Sequence, residues 1–269
     1  DLHRRRHSFP TRRSSDLWGL LLQWKDKDHH AHEWAMPASL LQGDSKELRQ
    51  ILADMGLGIA TSLKARNYLT AYLQAYDTPK RALSVNKTGW HDDSYVLPHC
   101  VIGGNDNEPI VLQTTAPLEH GYATKGTLKE WQDNLAIPVA GQSRIAFAVA
   151  CAFAGQLLEL IGEKHGGGFH FVGNSSIGKS ISLYIAGSVW GHDFIRSWRN
   201  TDNAMENIAL LHNDSLLCLD EINEAELKTI GKTVYMLANG QPKGRMTKTL
   251  VNRYAPKWRV MFLSTGEQT

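Results

Sequence analysis

The stretch GNSSIGKS, Gly173 to Ser180, constrains this chain more than any other feature. An apolar run, Gly168 to Val172 (GFHFV), leads into it, and ISLYIAGSVW follows at helical spacing, so the segment reads as strand, tight turn and helix. Glycine at 173 and 178 lets the backbone turn sharply, and successive N–H groups then point inward at the positive end of the following helix. That geometry suits phosphate. The residues expected to line it are Gly173, Asn174, Ser175, Ser176, Ile177, Gly178, Lys179, Ser180 and Ile181. Lys179 would reach the β and γ phosphates of a nucleoside triphosphate, and Ser180 would offer its hydroxyl to Mg2+.

Further on comes SLLCLDEI, an apolar strand ending in Asp220 and Glu221. Carboxylates at the end of a buried parallel strand make sense where that edge meets a cation. Asp220 is the expected Mg2+ holder beside Ser180, and Glu221 the group that activates water. A pair of acids favours hydrolysis over transfer to a bound acceptor. The guanine-reading pattern N-K-x-D has only a near match, Asn86-Lys87-Thr88-Gly89, which precedes the glycine loop and lacks the Asp, so ATP is the expected nucleotide. Counting strands from the loop gives four, with the acids on the third. The expected fold is therefore an α/β P-loop NTPase of the RecA/AAA+ type, with sheet order 5-1-4-3-2 and its fifth strand missing beyond Thr269. Ser264 and Thr265 fall at the tip of strand four. Thr265 is a catalytic candidate with Lys179 and Glu221, a simple turn before Gly266 being the alternative.

The remaining text frames that domain. Residues 1–16 hold five Arg and two Asp, which leaves the rest of the chain near neutrality, so the formal charge of +2 says little. This opening resembles translated adapter read-through and is set aside, a basic nucleic-acid arm being the alternative. Residues 17–138 read as a smaller α+β domain: a hairpin whose turn crowds His29, His30 and His32, helices from Asp44 or Ser45 to Leu57 and from Ser62 to Tyr76, then short strands. The crowded histidines read as a solvated loop, because a metal site would need further ligands held nearby. Pro138 and Gly141 mark the expected joint to the ATPase domain at 139–269. The apolar stretch Gln142 to Ile161 reads as a buried helix, with a membrane span as the alternative. Cys100, Cys151 and Cys218 lack metal-site spacing. A soluble, cytoplasmic protein with no membrane partner is expected.

From Gly240 to Val260 the chain carries basic residues and no acid. Lys243, Arg245 and Lys248 are the candidates for gripping a phosphate backbone, a charged surface loop being the alternative.

These segments together resemble the bacterial and phage domain of unknown function 927 family. The resemblance rests on TGWH at 88–91, GTLKEW at 126–131, GFHFVGNSSIGKS at 168–180, SVWG at 188–191, SWRNTDNAMENIA at 197–209, LCLDEI at 217–222, YMLANGQPKGR at 235–245 and WRVMFLSTGE at 258–267. It implies a helicase-like, ring-forming ATPase working on single-stranded DNA beside a primase, with ATP and Mg2+ held by Gly173, Gly178, Lys179, Ser180, Asp220 and Glu221. The alternative is an ATPase switch that binds a protein partner and never translocates. Strand five and any arginine finger would lie beyond this fragment.

Overall fold

The apolar and aromatic text before residue 38 folds as the hairpin its pattern predicts. The structure is a computed structural model describing residues 3–7, 18–78, 80–104, 109–115, 120–242 and 256–267. The chain divides into two units, the first being Asp1–Asn86, Asp93–Val96 and Cys100–Glu119, the second Lys87–Asp92, Leu97–His99 and His120–Thr269.

In the first unit β1 (His3–His7), β2 (Gly19–Lys25) and β3 (Ala31–Pro37) form an antiparallel sheet. The backbone of residues 3–7 pairs with β2 although its sequence has no strand period. Ladder hydrogen bonds to a neighbouring strand ask nothing of side chains. Alternation places Leu20, Leu22, Trp24, Trp34 and Met36 against Leu48 and Leu52 of α1 (Lys46–Asp54) and Leu73 of α2 (Leu63–Ala75). Both expected start residues act at α1: Ser45 takes the left-handed φ of 49° at the cap, and Asp44 Oδ1 accepts the Lys46 N–H at 3.1 Å. Ser62 caps α2 by accepting the Ala65 N–H at 3.2 Å. The short strands follow: β4 (Leu83–Val85), β5 (Gly89–His91, in the second unit), β6 (Ser94–Val96), β7 (Val101–Gly103) and β8 (Ile110–Leu112). Of these, β4 pairs with β8 in parallel and β6 with β7 antiparallel.

The second unit opens with a helical stretch, α3 (Leu128–Trp131), a π-helical turn at Gln132–Ala136 and α4 (Ile137–Val139), started by a Thr127–Glu130 capping box. Pro138 lies near the end of this helical run, just after the π-helical turn. The second unit takes in Lys87–Asp92 and Leu97–His99 as well as His120–Thr269, and the residues of the expected joint, Pro138 and Gly141, lie within its last stretch. Helices α5 (Ser143–Ala154) and α6 (Leu157–Leu160) bury only Ala148, Cys151 and Ala152, while Phe147, Phe153, Leu157, Leu160 and Ile161 are exposed. The stretch expected as one buried helix is two helices, buried along one face. Among the described residues no helix is long and apolar enough to cross a membrane.

A parallel sheet forms the centre, from β9 (Gly167–Val172), β10 (Ile195–Ser197), β11 (Leu216–Asp220) and β12 (Met261–Gly266), in the order β10-β11-β12-β9. Read from β9 this is strand one, four, three, two. The helices α7 (Lys179–Gly187), α8 (Asp202–Leu211) and α9 (Leu227–Asn239) link the strands. Strand β11 is buried on both faces. Leu216 and Cys218 pack with Ala148 and Leu183 of α5 and α7, and Leu217 and Leu219 pack with Met205 and Leu237 of α8 and α9.

The TGWH segment is held by the turn before β11. Thr88 Oγ1 donates to the Leu211 carbonyl at 2.7 Å, Asn213 Nδ2 donates to the Thr88 carbonyl at 2.8 Å, and the Trp90 N–H donates to Asp214 Oδ2 at 3.0 Å. Gly89, at φ 87°, lies so close that a Cβ would meet Asn213 and Asp214 atoms at 2.6–2.7 Å. Asp214 is 1% exposed and also accepts from Arg259 Nε at 2.8 Å. Removing this carboxylate takes an acceptor from the Arg259 guanidinium, from the Trp90 N–H and from Asn213 Nδ2, which donates to Asp214 Oδ2 at 2.7 Å. Asp214→Ala should lower unfolding stability by about 3–5 kcal/mol, as loss of one partner of a buried pair does. Urea denaturation checks this, and a loss below about 1 kcal/mol would remove Asp214 from the core network.

Candidate functional site

Turn geometry sets the loop between β9 and α7. Gly178 has φ 91° and is the residue before the helix, a conformation an L side chain rarely adopts. Ser176 is also left-handed, at φ 63°. The Lys179 ammonium lies across this loop, donating to the carbonyls of Gly173 and Asn174 at 2.8 Å each. Asn174, Ser175, Ser176, Ile177 and Ile181 are exposed, whereas Gly173, Gly178, Lys179 and Ser180 are half-buried.

Strand alternation does the rest. Cys218 and Leu263 face α7, so two residues on, Asp220 and Thr265 face it too. Ser180, in the first turn of α7, donates its hydroxyl to Asp220 Oδ1 at 3.0 Å. Thr265 Oγ1 donates to the same oxygen in a still shorter contact, and accepts the Glu221 N–H at 3.1 Å. Glu221 leaves the strand at φ 54°, and its Oε1 accepts from Asn223 Nδ2 at 2.9 Å. Four sequence candidates, Ser180, Asp220, Glu221 and Thr265, thus share one hydrogen-bonded network beside the loop that carries Lys179.

Behind them, Ser264 meets two residues the sequence reading passes over, His170 and Trp198. Ser264 is 1% exposed and its Oγ meets His170 Nδ1 and accepts from Trp198 Nε1, each at 2.9 Å. These bonds tie β9 and the end of β10 to β12 one residue before Thr265. His170 and Trp198 lie within stretches that carry the family resemblance, and nothing else in their local pattern points to them. Lys243, Arg245 and Lys248 lie outside the described residues. Arg259, from the same basic stretch, is bound to Asp214 and Glu159 and to the Glu163 carbonyl at 2.6 Å.

A carboxylate and a hydroxyl are the hard oxygen donors Mg2+ prefers. A left-handed turn at a helix N-terminus with a lysine across it can take a phosphate. The residues present fit both groups.

Two comparisons bear on this arrangement. The family model described as "Domain of unknown function (DUF927)" matches residues 8–253. The solved structure of the "SCCmec type IV Cch - active helicase" is similar in fold, with a TM-score of 0.68 at 21% identity, covering 100% of this chain and 50% of that one. This chain therefore spans half the length of that structure. No curated protein matches.

The Thr265 hydroxyl can be tested without any ligand. Thr265→Val leaves the Glu221 N–H without its acceptor and should cost about 1–3 kcal/mol, whereas Thr265→Ser keeps the hydroxyl and should lose clearly less. Equal losses in denaturant unfolding would show that the methyl group, rather than the hydrogen bonds, matters there.

Proposed function

The chain belongs to the DUF927 family, and from that premise we propose that its second unit is a P-loop ATPase module of the RecA/AAA+ type, serving a DNA helicase of a mobile-element replication protein. One observation carries the reading: the Ser180 and Thr265 hydroxyls meet on a single Asp220 oxygen at the carboxyl end of a parallel sheet, beside the glycine loop. Ligands of open parallel sheets bind at that edge. The order β10-β11-β12-β9 supports the RecA/AAA+ assignment, because it places the carboxylate strand one strand away from the loop strand.

In this reading the loop amides from Gly173 to Lys179 surround the phosphates of ATP, and the Lys179 ammonium exchanges its carbonyl partners for them. Ser180 and Asp220 hold Mg2+, which supplies charge neutralisation on the phosphates. Glu221, steadied through its N–H by Thr265 and through Oε1 by Asn223, takes a proton from the attacking water. Water oxygen bonds to the γ-phosphorus, the bridging bond to the β-phosphate breaks, and ADP and phosphate leave. Lys179 and Thr265 complete the catalytic set. The likeness to the helicase and the basic residues Lys243, Arg245 and Lys248 support single-stranded DNA as the polymer moved, with ring assembly and a primase partner part of the same proposal.

Lys179→Ala should abolish turnover of Mg-ATP. Glu221→Gln should still bind ATP yet turn over at least about a hundredfold more slowly. Steady-state phosphate release and nucleotide binding check both, and normal hydrolysis by either variant would remove that residue from the mechanism. ATPase activity that single-stranded DNA leaves unchanged would favour the switch that binds a protein partner.

A further inference from the structure

The turn of the β2–β3 hairpin gathers metal-ligating atoms that the nucleotide chemistry does not use. Trp24 pairs with His32 and Lys25 with Ala31, so the chain from Asp26 to His30 must reverse between them. Asp26 organises the reversal: its Oδ1 accepts the N–H groups of Asp28 and His30, each at 2.9 Å. Its other oxygen, Oδ2, is met by His32 Nε2 at 2.9 Å and by His30 Nδ1 at 3.3 Å. The Asp28 carboxylate completes the group, with one ligand atom each of Asp26, Asp28 and His30 lying within 4.8 Å of one another.

The cluster is anchored from below. The His32 ring stacks on Trp24, with centroids 5.5 Å apart and planes 19° apart. The Trp24 indole N–H donates to the Met55 carbonyl, and Gly56 lies so close to Asp26 that a Cβ there would be 2.8 Å from the Asp26 Cβ. The Asp26 side chain is accordingly only 15% exposed, that of His32 26%, and that of His30 75%. Two ligands are thus fixed, and His30 and Asp28 can rotate to close on an ion.

We propose that Asp26, Asp28, His30 and His32 form a binding site for a borderline transition-metal ion, zinc being the best fit. Ligands about 2.0–2.1 Å from a tetrahedral centre stand about 3.3 Å from each other. The His30 Nδ1 contact to Asp26 Oδ2, at 3.3 Å, has that spacing, and the His32 Nε2 contact, at 2.9 Å, needs only a few tenths of an ångström more. Imidazole nitrogens select zinc and its neighbours over Mg2+ and Ca2+, which want oxygen alone. The flanking Lys25 and Lys27 reduce the local charge without offering a ligand atom in this cluster. The turn that zinc would lock joins two strands of the first unit's core, so the site would act on the stability of that unit.

The test is zinc titration of the full chain by calorimetry with excess Mg2+ present, and a parallel titration with cobalt(II) read by its visible absorption. Wild type should take one equivalent with a dissociation constant at or below about 1 μM, and cobalt should give the bands of a four-coordinate N/O site. His30→Ala removes an exposed side chain and leaves the packing intact; the double variant His30→Ala/His32→Gln removes both imidazoles. Since losing an outer-shell partner costs about 10–100-fold, losing a ligand should weaken binding at least tenfold for His30→Ala and further for the double variant. Wild type that takes up no zinc, displacement of zinc by Mg2+, or a double variant that binds as tightly as wild type would each overturn the site.

Discussion

One carboxylate oxygen organises the end of the parallel sheet. Asp220 Oδ1 accepts from two hydroxyls, Ser180 on α7 and Thr265 on β12, so the loop helix, the carboxylate strand and its neighbour are fixed at a common point. That requires three elements distant in sequence to agree in register. β11 matches Leu219 to Ser264, and β12 matches Ser264 to His170 on β9, so Thr265 and Asp220 lie at the same level of the sheet. A slip of one residue in either strand would turn one of these side chains to the opposite face.

The cores on the two faces enforce that register. Leu216 and Cys218 fill the α5 and α7 side, Leu217 and Leu219 the α8 and α9 side, and all four are fully buried. Burial of both faces leaves the strand no alternative orientation. The polar layer of His170, Ser264 and Trp198 then ties the strands together immediately behind the site. Charge is treated the same way in the turn before β11, where Asp214 pairs with Arg259 and accepts the Trp90 N–H of the TGWH segment.

What could be read from the sequence was local. GNSSIGKS between an apolar strand and an apolar-faced helix gave β9, the loop and α7, and LCLDEI gave β11 with its acids at the end, because alternation and glycine turns act over a few residues. The strand order followed from placing the acids on the third strand. TGWH was legible only as a match. Its strand and its role depend on Asn213 and Asp214, more than a hundred residues away. The apolar run from Gln142 hid which residues were inward, since a helix apolar on all sides has no sequence marker for its buried face.

The central claim is that Asp220 is where metal and nucleotide chemistry meet. Calorimetric ATP binding, measured with and without Mg2+ on wild type and on Asp220→Asn, tests it most directly. The account predicts that Mg2+ tightens binding to wild type by at least about tenfold and that Asp220→Asn loses this gain while keeping its Mg2+-free affinity. An equal Mg2+ gain in both proteins would contradict it.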